Sequence, residues 1–322
     1  MAVPASLTEQ LDNLYTTTWR YRMKEVQDAI FDATPFWAFI AAKGRRRTIA
    51  GHRSILVPIM YDKSKTVTSI AKGDTISTTE NEFLTMANYN WKIIAGSVVR
   101  YWEDDRQNRG QAAILSLLNA KMDNLRLTIT DKFEVDLFLD GTGNGGKDIG
   151  GLSLYVPTVP TSGTIGGINR ANFSWWRSKT KTATGSFAVY GKDELRTAIN
   201  DCTTGADSPD LLLTDQTDWE RLATETEDQK SIVNQKVGDS VFDSIRFWGR
   251  DVMWSPSCSP ANAFYLINTK YLEWIADEYA NFTMTEWKAI PNQLDRVAQV
   301  VVVGNLVLSN SRKQGIYHSI SA

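Results

Sequence analysis

The stretch NRGQAAILSLLNAKMDNLRLTITDKFEVDLFLD, from Asn108 to Asp140, decides the fold that the sequence predicts. Large apolar residues recur at every third or fourth position, namely Ile114, Leu118, Met122, Leu125, Ile129, Phe133 and Leu137. This spacing is typical of an α-helix with one buried face, and it puts Thr130 and Glu134 on the opposite side. At 1.5 Å per residue, such a helix extends about 45 Å. The stretch therefore predicts one long helix packed on a comparably long sheet, with Leu117 and Leu127 off the buried stripe.

The end of the chain supplies the sheet that this helix requires. Residues 297–309 include the run QVVVVGNLVL, and residues 315–320 form a second β-branched stretch. A continuous apolar run of this kind is typical of a strand that is covered on both faces. We predict that these strands pack against the long helix.

Two stretches before the helix must pack on another surface to be stable. Residues 1–52 form a predicted arm, whose dense apolar segment around Phe36 and Trp37 must dock on its own domain or on a neighbouring copy. Residues 53–92 predict a projecting hairpin, with a polar excursion at 63–87 and a turn at Gly73 and Asp74. An isolated two-stranded hairpin is marginally stable, so it requires a partner. The alternative is a long mobile loop.

Composition excludes several classes of protein. The 322 residues carry 35 Lys and Arg against 37 Asp and Glu, which leaves no global basic field for nucleic acid. Two cysteines and two histidines leave little for a disulfide framework, a metal site or histidine-based catalysis. We expect no membrane span and no signal peptide. One local basic run remains, a candidate contact for DNA or for an acidic neighbour and otherwise a solvated loop: Lys43, Arg45, Arg46, Arg47 and Arg53.

The glycine run from Gly141 to Lys147 imitates two nucleotide-binding motifs. Both motifs require a strand before the glycines and a helix after them. Here the predicted helix comes first, and Asp148 replaces the Ser or Thr that would bind magnesium. We interpret the run as a helix stop followed by an exposed turn. An enzyme that uses this loop, or the pair Asp104 and Asp105, is the rival hypothesis.

The segment IGGINRANFSWWR, from Ile165 to Arg177, is more specific than composition. By itself it predicts a turn at Gly166 and Gly167, coverage of a core edge by Trp175 and Trp176, and pairing of Arg170 or Arg177 with a carboxylate. The segment also resembles a recurring motif in the major capsid proteins of tailed bacteriophages, which share the Hong Kong 97 fold. The order of elements along the chain is similar as well.

This resemblance implies an α+β fold of the Hong Kong 97 type. Its expected parts are an N-terminal arm (1–52), an extended E-loop hairpin (53–92), a peripheral domain (93–185) with spine helix 108–140, an axial α/β domain (186–285) and C-terminal strands that return to the peripheral domain (286–322). Within the axial domain we predict helices at 192–202 and 217–226 and strands at 209–214, 241–252 and 263–267.

The function implied by the resemblance is a structural shell subunit without catalytic residues, cofactor or metal. Pentamers and hexamers of the chain would form an icosahedral phage head around double-stranded DNA, assembled in the host cytoplasm with portal, scaffolding and decoration proteins. The candidate intersubunit contacts are Lys63, Lys65, Lys72, Gly73, Asp74, Trp19, Phe36, Trp37, Leu117 and Leu127. An encapsulin-type compartment is the related alternative. Some family members also crosslink a hairpin lysine to an asparagine of a neighbour.

Overall fold

The computed structural model describes residues 35–51, 53–79, 81–103, 111–226 and 245–321, with the backbone alone at 111–119, 122 and 126. The helices are α1 (Pro35–Ala42), α2 (Gln111–Phe138), α3 (Leu152–Tyr155), α4 (Lys192–Cys202) and α5 (Gln216–Glu225). The strands are β1 (Arg46–Ile49), β2 (Ile55–Met60), β3 (Leu84–Tyr89), β4 (Lys92–Arg100), β5 (Thr164–Ile165), β6 (Ile168–Asn169), β7 (Lys179–Thr182), β8 (Leu211–Thr214), β9 (Ile245–Phe247), β10 (Arg250–Trp254), β11 (Ala263–Ile267), β12 (Leu272–Asp277), β13 (Thr283–Met284), β14 (Lys288–Ala289), β15 (Arg296–Leu308) and β16 (Gly315–His318).

The first sheet is built around β15, the long apolar strand near the end of the chain. It pairs antiparallel with β12 and β4, and the pairing with β4 runs from Arg296 opposite Arg100 to Gly304 opposite Lys92. The short strands β13 and β14 also pair with β15, and β1 adds in parallel to β12. Strand β15 therefore has hydrogen-bonded neighbours on both edges. Its last part, from Gly304 to Leu308, is buried on both faces, as its apolar run predicts.

The long helix α2 lies against this sheet, in contact with β4 and α3. Ile129, Phe133 and Leu137 are buried, and Leu125 packs against the core, as the spacing predicts. The helix backbone lies closest to β4, and Ile129 and Phe133 share the large core with Val302 of β15, in line with the predicted packing on the C-terminal strands. Thr130 is also buried, because the apolar stripe drifts around the axis. The predicted helix start at Asn108 lies outside the described residues.

The second sheet has the strand order β7-β16-β11-β8-β10-β9. On one face, α4 and α5 contribute Leu195, Ile199 and Leu222 to a core that includes Leu212. On the other face, Leu211 and Leu213 join the larger core around α2 and the first sheet. Alternate residues of β8 therefore enter different cores, which explains why the whole strand is buried.

Core packing and strand pairing cross three of the predicted domain boundaries. Helix α1 and strand β1 belong to the body, since α1 is buried in the large core and β1 pairs with β12, so the arm does not extend to residue 52. Strand β12, placed in the axial domain, lies in the first sheet. Strands β7 and β16, placed in the peripheral domain, lie in the second sheet. Pairing between residues far apart in sequence decides these memberships, and sequence spacing does not encode it.

Candidate intersubunit surfaces

The hairpin of β2 and β3 has two apolar strips at its base, one buried and one exposed. The register puts Ile55 opposite Tyr89 and Ile59 opposite Thr85. Ile55, Ile59, Ala87 and Tyr89 are buried in the subunit's large core. The return strand begins at Leu84, within the stretch that the sequence assigns to the polar excursion. One face of the hairpin base is therefore covered by the subunit's own core.

The opposite face of the hairpin is apolar and exposed. Successive strand residues point to opposite sides, so the residues between the buried ones form one outward strip. Leu56, Met60, Leu84 and Met86 are each more than half exposed, at 53%, 72%, 52% and 58%. Sequence analysis missed this strip. The available signal was the stretch ILVPIM, in which every residue is apolar, so both faces of the strand are apolar. We define these four residues as the outer hairpin face.

Beyond the strands, the hairpin continues as an exposed loop. Val67 and Ile76 are exposed at 85% and 59%. The predicted turn is present, with Gly73 at a φ of +95° and the Asp74 carboxylate accepting a 2.7 Å hydrogen bond from the Ala71 N–H. Lys63, Lys65 and Lys72 are exposed, and Lys65 lies 3.5 Å from the Asp62 carboxylate. These candidates therefore lie on the subunit surface.

The segment from Ile165 to Arg177 holds the base of the hairpin. The Gly166 carbonyl accepts a 2.8 Å hydrogen bond from the Asn88 N–H. A Cβ on Gly166 would lie 2.7 Å from the Ala87 Cβ, so the close approach requires glycine. Trp175 stacks on Tyr61, with the ring centroids 5.2 Å apart. The motif segment therefore fixes the base of the hairpin to the body of the subunit.

The expected pairing of the motif arginines with a carboxylate is wrong. Arg170 is buried and donates to the Leu154 carbonyl. Arg177 donates to the carbonyls of Arg170 and Ala171, both at 2.7 Å. Burial lowers the pKa of Arg170 to about 10. Both side chains therefore hold the backbone of this part of the subunit in place. Trp176 is buried and donates to the Ile165 carbonyl at 3.2 Å, so the expected coverage of a core edge is present.

The prediction that Phe36 and Trp37 make intersubunit contacts is wrong. The structure buries both, with Trp37 edge-on to Phe133 and Trp274 at centroid distances of 4.7 and 5.0 Å. Docking on the chain's own domain is therefore the correct alternative for this part of the arm. Leu127 is 62% exposed on the spine helix. Trp19 and the side chain of Leu117 lie outside the described residues.

Only the middle of the basic run is a strand, which lies at the edge of the described first sheet. Arg46 and Arg47 lie in β1, and burial lowers the pKa of Arg46. Lys43 and Arg45 form long ion pairs within the chain, at 3.8 Å to Asp210 and 3.9 Å to Glu273. Arg47 and Arg53 are exposed. Part of the positive charge is therefore balanced by the subunit.

The glycine run has none of the geometry of a nucleotide site. It follows α2 and turns at Gly143–Gly146, where Asn144 and Gly145 have positive φ. The Asp148 carboxylate accepts a 2.9 Å hydrogen bond from Lys132 of α2. Asp104 and Asp105 of the rival enzyme hypothesis lie outside the described residues. Within the described chain, no group of three metal-ligating side chains occurs, and no helix is long and apolar enough for a membrane span.

A buried carboxylate lies in the first turn of α5. Asp215 caps this helix by accepting a 3.0 Å hydrogen bond from the Asp218 N–H. The Asp218 carboxylate is fully buried and accepts a 2.7 Å hydrogen bond from Arg221. Burial, and then the negative charge of Asp215, raise the pKa of Asp218 to about 6. This side chain therefore gains its proton under mildly acidic conditions.

No family model and no curated protein matches the sequence. Solved structures do match the fold. The cyanophage A-1(L) capsid asymmetric unit aligns over 90% of this chain and 93% of its own, at 15% identity and a TM-score of 0.65. Mycobacterium phage Bobi aligns over 87% and 90%, at 10% identity and a TM-score of 0.54. The holo-SrpI encapsulin complex from Synechococcus elongatus PCC 7942 aligns over 90% and 89%, at 8% identity and a TM-score of 0.51.

The fold defined by these similarities is that of shell proteins, both viral capsids and encapsulins. It is the Hong Kong 97-type fold, in which a mixed α+β body carries a long helix and a projecting hairpin. The fold class that the IGGINRANFSWWR resemblance implied is thereby confirmed.

Proposed function

We propose that this protein is the major capsid protein of a tailed bacteriophage. Copies of the chain form pentamers and hexamers that close into an icosahedral head around double-stranded DNA. The role is structural and requires no cofactor. The protein resides in the virion after assembly in the host cytoplasm. Portal, scaffolding and decoration proteins are the expected partners of such a shell.

The observation that carries this proposal is the outer hairpin face on a Hong Kong 97-type body. A monomeric subunit would expose Leu56, Met60, Leu84 and Met86 along a two-stranded hairpin. Exposed apolar strands promote association unless another surface covers them. A neighbouring copy provides that cover. Several modest contacts per subunit then add up through avidity.

The exposed arginines of the basic run supply the proposed DNA contact. Arg47 and Arg53 are exposed, whereas Lys43 and Arg45 have acidic partners in the chain. A net charge of −2 makes a weak local contact with packaged DNA more reasonable than a strong general affinity.

Shortening the hairpin tests the proposal. Tyr61 and Phe83 are already joined by a 3.0 Å backbone hydrogen bond, so an Asn-Gly turn can replace residues 62–82 and keep both strands. We expect a soluble subunit with the wild-type circular dichroism spectrum, which forms no closed shells in negative-stain micrographs. Normal shells from the shortened chain would show that residues 62–82 are not needed for assembly, whereas a wild-type chain that forms no closed shells would count decisively against the proposal.

An encapsulin-type compartment is the second candidate, because the SrpI encapsulin shares the fold at a TM-score of 0.51. The cyanophage capsid is more similar, at 0.65. The contents of shells purified from the native source separate the two functions. Double-stranded DNA supports the capsid, whereas a co-purifying enzyme in place of DNA supports the compartment.

A further inference from the structure

The methionines of the described chain divide into an exposed pair and a covered pair. The sequence contains seven methionines, and the structure describes the side chains of Met60, Met86, Met253 and Met284. Met60 and Met86 are 72% and 58% exposed. Met253 is 3% exposed, and Met284 is partly buried against the large core. Both exposed methionines therefore belong to one surface, the outer hairpin face.

The strand register puts the two exposed methionines next to each other. Met60 is opposite Leu84, and Met86 is opposite Pro58, two residues away on each strand. Residues directly opposite each other share a face, so Met60 and Met86 are diagonal neighbours on the outer hairpin face. The hairpin residues that enter the large core include no methionine. A chemical change at the two sulfurs thus alters the outer face and leaves the buried face unchanged.

Methionine undergoes a reversible two-electron oxidation. Its sulfur attacks one oxygen of hydrogen peroxide, the O–O bond breaks, an S=O bond forms, and the second oxygen leaves as water. The sulfur loses the two electrons that the peroxide gains. Methionine sulfoxide reductases reverse the step, with two electrons from a pair of thiols and release of the oxygen as water. A sulfoxide is polar, so its burial without a hydrogen-bond donor is unfavourable.

The two cysteines compete poorly for the same oxidant. Cys202 and Cys258 are both buried free thiols. Burial raises the pKa of both, that of Cys202 to about 12. The thiolate is the reactive form of cysteine, so at neutral pH little of either residue reacts. Among the described side chains, the exposed methionines are therefore the sulfur groups that a peroxide reaches most readily.

We propose that Met60 and Met86 form a reversible oxidation site that controls association of the outer hairpin face. This inference rests on the proposed function, because it requires that a neighbouring copy covers this face in the shell. In the thioether form the strip is apolar and associates. In the sulfoxide form two polar groups interrupt the strip and weaken the association, while the subunit stays folded because its core is untouched.

Treatment of the purified, unassembled full-length chain with hydrogen peroxide tests the proposal. Peptide mass spectrometry should show the gain of one oxygen at Met60 and Met86 before Met253 and Met284. The melting temperature should stay within about 2 °C of the untreated value. The subunit concentration at which shells appear, measured by light scattering, should rise about tenfold or more. A methionine sulfoxide reductase should restore the original concentration.

The double variant Met60→Leu, Met86→Leu is the matched control. Leucine keeps the apolar character and nearly the volume of methionine but has no sulfur. This variant should form shells at the wild-type concentration both before and after peroxide treatment. An effect of peroxide at any other methionine would persist in the variant, so the comparison assigns the effect to this pair.

Three results would overturn the oxidation site. In the first, Met253 or Met284 gains oxygen before the exposed pair. In the second, the oxidised wild type forms shells at the untreated concentration. In the third, the leucine variant is as sensitive to peroxide as the wild type. An untreated wild type that forms no shells would instead refute the proposed function, and the order of oxidation would still test the reactivity of Met60 and Met86.

Discussion

Strand β8 and the hairpin strand β2 have similar apolar sequences, LLLT and ILVPIM, but their surroundings are opposite. Leu211, Leu212 and Leu213 are all completely buried, since α4 and α5 cover one face and the large core covers the other. In β2, Ile55 and Ile59 are buried while Leu56 and Met60 are exposed. The comparison separates a strand that one chain buries completely from a strand that, in the proposed shell, a second chain covers.

The largest expected effect is on the enclosed strand. Leu213→Ala leaves a cavity in the large core, because Leu213 has no exposed surface. We expect a loss of about 2–5 kcal/mol in the free energy of unfolding. Met60→Ala, on the outer hairpin face and 72% exposed, should change it by less than about 0.5 kcal/mol. Urea unfolding of the unassembled subunits measures both values. A similar loss from both substitutions would remove the distinction between the two strands.

Local patterns explain what the sequence predicts correctly. Helix α4 has the predicted bounds of 192–202, and β11 those of 263–267, because periodicity and apolar runs are visible within each segment. The spine helix follows from the same periodicity over the part that is described.

Long-range pairing explains what sequence reasoning missed. The arginine-rich stretch 46–49 has no apolar strand pattern, and only its parallel register with β12 makes it a strand. In the same way, β16 joins β11 and β7 in the second sheet, although the sequence analysis placed it with β15 in the peripheral domain. Residue type also does not show that Arg170 and Arg177 donate to carbonyls. The outer hairpin face was missed because a strand that is apolar at every position does not show which of its two faces the subunit covers.

The second prediction concerns assembly. The double variant Met60→Ser, Met86→Ser makes the outer hairpin face polar while the buried face remains unchanged. We expect wild-type unfolding behaviour and about a tenfold higher subunit concentration for shell formation, which corresponds to about 1.4 kcal/mol. Val159→Ser is the control, because Val159 is 59% exposed but lies outside the hairpin. If the double variant and the control assemble alike, the outer hairpin face is not an interface.

The third prediction is a dependence of stability on pH within the enclosed region, next to β8. The pKa of Asp218 is about 6 in the folded chain, above the ordinary value of 3.8. The folded state therefore binds the proton more tightly than the unfolded state between these values, and stability rises as the pH falls from 7 to 4. Above pH 6 the buried carboxylate is ionised and lowers stability.

Asp218→Asn should remove this contribution. We expect the free-energy difference between wild type and variant to shift by roughly 1–2 kcal/mol in favour of the wild type between pH 7 and pH 4. The difference is the useful quantity, because Asp207 and Glu194 have lowered pKa values and change stability in the opposite direction. Unfolding curves at both pH values provide the measurement. A difference that does not vary with pH would show that the buried Asp218 carboxylate is stabilised as well in the folded state as in the unfolded state. The contrast with the hairpin would then be larger, because even the charged group beside β8 would be satisfied within one chain.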